Sequence, residues 1–313
     1  MIEKLANPTS ESQARTNILL WVLMLAYAVS RVFQVLPNTV PMTIVVALHV
    51  LPPAIFALFH GAARYRCRGM LAFCALGLVV GNTIENIGVA TSIPFGRYYV
   101  TDLMGPKLFH VPILLGMAYL GMGYLSWTLA DVILGGGQKT FTGLRVITVP
   151  VLAGCVMLSW DLAMDPVWST VMHAWIWSQG GAYFGVPLSN FAGWYITVYI
   201  FYQLFAVYLR HGSATLEPLP SSHFGFAVLF YAISAAGNLI LVIPQSGVSV
   251  VSDPAGTQWK VSHIVGACAL VSIFIMGGFA LLAWTKSANR DRARSIKELY
   301  HRRNSNLLRT IIT

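Results

Sequence analysis

Three carboxyls in this chain sit where water is scarce. Glu85 and Asp161 lie inside long apolar runs, and Asp165 follows four residues after Asp161. The chain has eleven Asp and Glu residues, and the other eight have local explanations. Glu3, Glu11, Asp291 and Glu298 belong to polar termini. Glu217, Asp102 and Asp253 fall in loops, with Asp253-Pro254 reading as a cap, and Asp131 ends an apolar run near Lys139. A carboxyl held in an apolar medium is expensive and is a functional hypothesis by default. Two of them close together share protons rather than both ionise. Such a pair can hold a proton at neutral pH and deliver it to a base as weak as an alkene.

The neighbours of each acid offer competing readings. Asn82, Glu85 and Asn86 form one polar stripe at helical spacing, and Gly77, Gly81 and Gly88 permit close approach of a second backbone. The structural alternative to catalysis is a Glu–Asn hydrogen-bond knot between helices. Asp165-Pro166 also reads as an N-cap followed by Pro at the first helical position, opening a short Trp-rich helix. Asp161 and Asp165 make a D-x-x-x-D pair of the kind that holds Mg²⁺-diphosphate, but there is no second acid-rich motif and no cation cluster beside it. Arg31 is placed to pair with Glu85 or Asp161, or to snorkel. Of the eight histidines, His110 and His173 are placed to reach the acids, and no His/Cys spacing indicates zinc or haem. Cys67, Cys74, Cys155 and Cys268 read as small buried hydrophobes, with neither a metal nor a disulfide framework.

The elements that position these groups follow from composition. Of 313 residues, 56% are apolar and 10% charged, and mean hydropathy is +0.66. A soluble domain carries about 25% charged residues. The chain is therefore read as an all-α, polytopic transmembrane bundle, which excludes a soluble enzyme, a secreted disulfide scaffold and a nucleic-acid binder. Eight runs are long enough to span: 18–36, 40–59, 70–93, 108–134, 144–163, 187–209, 224–243 and 261–284. Residues 1–285 make a single transmembrane domain and 286–313 a basic tail, with no cleavable leader evident. Eight spans put sixteen Lys and Arg residues, eight of them in the tail, on one side and only Arg97, Lys107 and Lys260 on the other. The positive-inside rule then places both termini in the cytoplasm. Glu85 lies roughly 22 Å and Asp161 roughly 25 Å from the cytoplasmic ends of their spans, at matching depth in the outer half of a core about 30 Å thick. The two are expected to face each other.

The two outer loops near these acids are aromatic. The first carries Phe95, Tyr98 and Tyr99. The second carries Trp168, Trp175, Trp177, Tyr183 and Phe184, with Asn190 and Trp194 opening the next span. An interfacial aromatic belt is one reading, and a lid over the acids is the other. The two regions share a weak pattern, an acid late in a span, an aromatic loop and a Val-Pro opening the next span (Val111-Pro112 and Val186-Pro187), as in internal duplications.

At these residues the sequence resembles the membrane carotenoid-biosynthesis hydratases, among them the carotenoid 1,2-hydratases and bisanhydrobacterioruberin hydratases. The matching stretches are Glu85-Asn86-Ile87-Gly88-Val89, Phe95-Gly96-Arg97-Tyr98-Tyr99, Gly105-Pro106-Lys107-Leu108 and Val111-Pro112. A second block holds Asp161, Met164-Asp165-Pro166-Val167, Trp175-Ile176-Trp177, Gly181-Ala182-Tyr183-Phe184-Gly185-Val186-Pro187, Asn190-Phe191 and Gly193-Trp194. The resemblance covers about residues 70–210. It departs from the family pattern at Thr91-Ser92, where Thr-Gly is expected. The resemblance implies addition of water to a terminal isoprenoid double bond without a redox cofactor. Its partners are a lipid-soluble polyene, water and membrane lipids. The residues leave other chemistries open: a proton-initiated isoprenoid cyclase using the same acids, a Mg²⁺-dependent prenyltransferase, or a carotenoid-binding or transport protein. The topology is testable by reporter fusions at the C-terminus and beside Trp175, which are expected to report opposite sides of the membrane. Agreement between the two fusions overturns the eight-span arrangement.

Overall fold

The computed structural model describes residues 10–36, 39–212, 216–243, 249–290 and 292. Among these, seven helices are long and apolar enough to cross a membrane. They are α1 (Ser10–Gln34), α2 (Met42–Thr91), α3 (Ile113–Ile133), α4 (Arg145–Pro166), α5 (Leu188–His211), α6 (Ser221–Ile240) and α7 (Val261–Val271), the last continuing as helix to Arg290. The protein is an integral membrane protein built as a helical bundle. Large apolar side chains such as Leu25, Leu71, Val79 and Phe274 point outward, as a lipid-facing surface requires. Lys4 and most of the tail cations lie outside the described residues.

The count of eight runs against seven helices is resolved inside α2. Its fifty residues would reach about 75 Å if straight, over twice the apolar thickness of a bilayer. The helix instead breaks at Arg66, whose φ of 57° and ψ of 172° are non-helical. The two halves then run back along each other. A Cβ on Gly61 would lie 2.3 Å from Met70 Sδ, while Pro53 and Ala54 in one half and Gly77 in the other both border Leu120 and Gly121 of α3. The run around Arg64, Arg66 and Arg68, expected to be a loop, is a one-residue reversal within helix. Hydropathy detects the charges there and not the continued backbone hydrogen bonding.

α3 is enclosed along most of its length, from Gly116 to Val132. Gly121 lets Pro53 and Ala54 come within 2.7 Å of where its Cβ would be. Arg64 and Arg290 bond the ends of the loops at one end of the bundle: Arg64 donates to the Glu217 and Gln138 carbonyls at 2.6 and 2.9 Å, and Arg290 to those of Gly136 and Leu219 at 2.6 and 2.9 Å. Asp131 takes its ion pair from Arg145, with Arg64 at 3.9 Å, rather than from Lys139. The described ends of α1 and α7 lie at this end.

At the opposite end the loops form, among the described residues, three two-stranded ribbons: β1 (Tyr98–Val100) with β4 (Trp175–Trp177), β2 (Lys107–Leu108) with β3 (Val111–Pro112), and β5 (Val250–Ser252) with β6 (Gln258–Lys260). The β1–β4 register places Tyr98 opposite Trp177 and Val100 opposite Trp175. The Trp-rich segment is thus a strand and not a short helix. The aromatic and β-branched residues that make up both segments suit a ribbon. Asp165 caps nothing: α4 passes through Pro166 and continues as a π-helical turn, Val167–Val171. The two acid-bearing units close in similar turns. Leu108 pairs with Val111 around Phe109 (φ 59°), and Tyr183 with Val186 around Phe184 (φ 52°), and each turn leads to a proline N-cap, Pro112 or Pro187. Gly121→Ala is expected to lower unfolding stability in detergent by about 1–3 kcal/mol through overpacking. Gly266→Ala, with nothing within 4 Å, is expected to be neutral or slightly stabilising. Equal behaviour of the two variants contradicts this packing.

Candidate active site between two aromatic loops

Glu85 lies in the second half of α2 on the inward face that also holds Gly77, Gly81 and Gly88. The glycines make room for rings. A Cβ on Gly81 would meet the Tyr119 ring at 3.1 Å, and one on Gly88 would meet Phe95 at 2.4 Å. Tyr119 fills that space, stacks on Trp194 at 4.7 Å, and donates its hydroxyl to Glu85 Oε1 at 2.7 Å. Tyr98, brought in by β1, donates to Glu85 Oε2 at 2.5 Å. Both carboxylate oxygens of a buried acid are thereby satisfied by phenols from two different elements.

Asp165 ends α4 on the other side of the same space. Its Oδ1 accepts from the Trp175 indole N–H at 2.7 Å, and its Oδ2 from the Asn190 side-chain amide at 2.5 Å. Trp175 is held by β4 and Asn190 by the first turn of α5. Between the two acids lies a cavity of about 30 Å³, walled by Glu85, Tyr98, Asp165, Trp177, Asn190 and Trp194, with Val100, Met104, Pro112 and Leu115 as its apolar side. A space of this size holds a water molecule, which needs about 10–15 Å³ on such a measure.

Glu85 and Asp165 wall this cavity together, and Asp161 is within electrostatic reach of both without lining it. Asp161 is fully buried one turn earlier on α4, and neither of its carboxyl oxygens has a hydrogen-bond partner. It is absent from the cavity wall. The electrostatics reach the loops. Burial raises the Tyr98 phenol above its usual range, and the charges of Glu85 and Asp165 push it further the same way. Burial also raises Tyr183, with Cys268, Asp161 and Asp165 adding to it.

Several expected site residues do other work. Asn86 donates to the Asn82 carbonyl and side chain, and its own Oδ1 accepts from the His110 backbone N–H at 3.0 Å. This pair ties the loop after β2 to α2 and does not touch Glu85. Phe95 is buried and meets Tyr98 edge-on. Tyr99 points out, half exposed. Tyr183 donates to the Leu162 carbonyl at 3.2 Å, and Phe184 packs on Tyr183 and Trp259. Arg31 pairs with neither acid: it is buried and donates to Asn238 on α6. His110 and His173 are exposed. All four cysteines are free, and Cys155 is exposed on the lipid-facing side of α4 rather than buried. Tyr119 went unread in sequence because a tyrosine within an apolar run looks like core. Its hydroxyl, which needs a partner when buried, was the signal.

The family model described as "carotenoid biosynthesis protein" matches residues 39–251. The chain belongs to the carotenoid biosynthesis protein family. The match extends beyond the 70–210 stretch that carries the sequence resemblance, and it contains both acids and all the residues that bind them. No curated protein and no solved structure matches the chain. The function of this family member is therefore a carotenoid-related one carried out in the membrane. Among the described residues no three His, Cys, Asp or Glu side chains converge as metal ligands.

The hydrogen bonds to the acids predict a stability pattern. Tyr98→Phe and Asn190→Leu each leave one buried carboxyl oxygen unpaired and are expected to cost about 1–3 kcal/mol. Tyr99→Phe, at an exposed ring, is expected to stay within about 0.5 kcal/mol. Thermal unfolding of the three purified variants checks this, and a loss at Tyr99 equal to that at Tyr98 contradicts the geometry.

Proposed function

We propose that the protein is a hydratase that adds water to a terminal carbon–carbon double bond of an acyclic carotenoid or related isoprenoid, giving a tertiary alcohol. The observation that carries this reading is the pairing of two carboxyls with different hydrogen-bond partners across a cavity sized for water. Glu85 is held by two phenols, and a phenol can donate or accept. Glu85 therefore keeps its partners whether or not it carries a proton, as a group that gives up and regains one must. Asp165 is held by an indole N–H and an amide N–H, which only donate, and it is matched to the carboxylate form.

The chemistry follows from that difference. Glu85 transfers its proton to the less substituted carbon of the double bond, and the π electrons form the new C–H bond. The other carbon becomes a tertiary cation, facing Trp177, Trp194 and Tyr98, whose ring faces are attractive to positive charge. The water oxygen donates a lone pair to the cation as its proton passes to Asp165. The proton then returns to Glu85, and the balance is one alkene and one water consumed for one alcohol. Acid and base roles of this kind contribute typically 10²–10⁴-fold each. The resting cavity is too small for the end of a polyene. The β1–β4 ribbon must lift to admit it, in the manner of a substrate-driven lid. Family membership supports a carotenoid-related substrate, and the apolar flank of Met104, Pro112 and Leu115 suits a chain arriving from lipid.

Expression in a cell that accumulates an acyclic polyene tests this. Pigments are expected to gain the mass of one water per modified end. Glu85→Gln and Asp165→Asn are each expected to reduce that product by about 10²-fold or more at unchanged protein level. An isomer of unchanged mass assigns a cyclase instead, and near-normal turnover in both amide variants removes the mechanism.

A further inference from the structure

A second cavity of about 150 Å³ lies at the ribbon end of the bundle, lined by Ser169, Thr170, His173, Trp177, Ser252 and Asp253 among others. Its wall mixes polar side chains with apolar ones and carries one acid and one histidine but neither Lys nor Arg, so it has no Lys or Arg to hold an anionic ligand. With liquid water occupying roughly 30 Å³ per molecule, it has room for several waters. One side chain, Trp177, lines both this cavity and the one that holds Glu85 and Asp165. A polar ladder runs along the same wall. Ser169 donates to the Asp165 backbone carbonyl at 2.8 Å and lies 3.5 Å from the Thr170 hydroxyl, which donates to the Phe184 carbonyl at 2.6 Å.

The surroundings keep this space open on one side and fixed on the other. Gly185, at φ 87°, leaves the gap between Thr170 and Asp253 unfilled: a Cβ there would sit 2.8 Å from the Thr170 hydroxyl and 3.2 Å from Asp253 Cβ. Asp253 is locked by the Thr257 N–H at 3.0 Å and the Trp259 indole at 2.9 Å. Trp177 is held differently. Its ring leans on Tyr98 at 4.8 Å, and its buried indole N–H faces Asp165 without reaching a well-formed hydrogen bond. Ser169 and Thr170 both belong to the π-helical turn at Val167–Val171, and such turns recur at functional sites.

We propose that the outer cavity is a water port and that Trp177 is the gate between it and the acids. The port supplies the second substrate from the aqueous side while the polyene enters from lipid, and that use of the water rests on the hydratase reading. The passage of small hydrophilic molecules past Trp177 does not rest on it.

The test uses the full chain in detergent with its four cysteines replaced by alanine, a small cationic methanethiosulfonate reagent, and no isoprenoid. Single cysteines are placed in the port (Thr170→Cys) and in the acid cavity (Val100→Cys), since thiol modification follows exposure. The port cysteine is expected to react about tenfold faster or more than the inner one. Adding Trp177→Ala is expected to raise the rate at Val100→Cys by about tenfold and to leave that at Thr170→Cys within about twofold. Trp177→Phe, a milder opening that keeps the packing on Tyr98, is expected to give a smaller rise of the same sign. An inert Thr170→Cys, or a Val100→Cys rate unchanged by either Trp177 variant, overturns the port. Because labelling needs no turnover, a protein that labels as expected and hydrates nothing overturns the hydratase and leaves the port standing.

Discussion

The hydrogen-bond demand of buried carboxyls organises this molecule. An unmatched polar group away from water costs about 1–3 kcal/mol by mutational measures, and an unmatched charge costs more. Glu85 and Asp165 each need a donor at both oxygens, and the four donors come from four elements: β1, α3, β4 and α5. Meeting that demand draws two loops down onto the bundle and sets their register. Tyr98 cannot reach Glu85, nor Trp175 reach Asp165, unless the strands that carry them pair as they do. The glycines of α2 belong to the same constraint, because Tyr119 can approach Glu85 only where Gly81 leaves space for its ring.

How far this was legible in the sequence depends on the range of the signal. The membrane bundle, six of whose eight runs are separate helices and two the halves of α2, was readable because each span announces itself locally by hydropathy. The burial of Glu85 within a spanning helix was readable for the same reason, as a carboxyl in an apolar run. The choice between Asp161 and Asp165 was not. Depth along a helix is a one-dimensional coordinate and favours Asp161. The two share one face of α4, and which of them walls the cavity with Glu85 is set by donors up to 25 residues away in sequence, Trp175 and Asn190. Asp165-Pro166 also imitates a helix start, although here the proline is accommodated within a helix that relaxes into a π turn. The strand at Trp175–Trp177 was hidden similarly: three residues have no measurable period, and their partner lies in another loop.

The ends of the bundle divide the labour. At one, Arg64, Arg145 and Arg290 bond carbonyls and Asp131 across several loops, a rigid arrangement of charge-assisted contacts. At the other, contacts are ribbons of two or three residues, aromatic edges, single hydrogen bonds to Glu85, Asp165 and Asp253, and one ion pair, Lys107 with Asp102. The second kind opens at lower cost, since each ribbon is too short to be stable without its packing. A site that must admit a long apolar molecule and then close belongs at the end that can be rearranged without unfolding the bundle.

Depth also decides chemistry. A cation generated in the middle of a bilayer would be captured by whatever nucleophile shares the space, and in a dry interior that is another double bond. A cation generated at the surface would meet water freely, but so would the acid, which would lose the proton-holding environment that makes it useful. The Glu85–Asp165 cavity is bordered by aromatic rings, is large enough for water, and shares Trp177 with the neighbouring cavity beside Asp253. In the proposed reading the same carboxyls would serve hydration or cyclisation, and the metering of water by Trp177 between the two cavities would select the product.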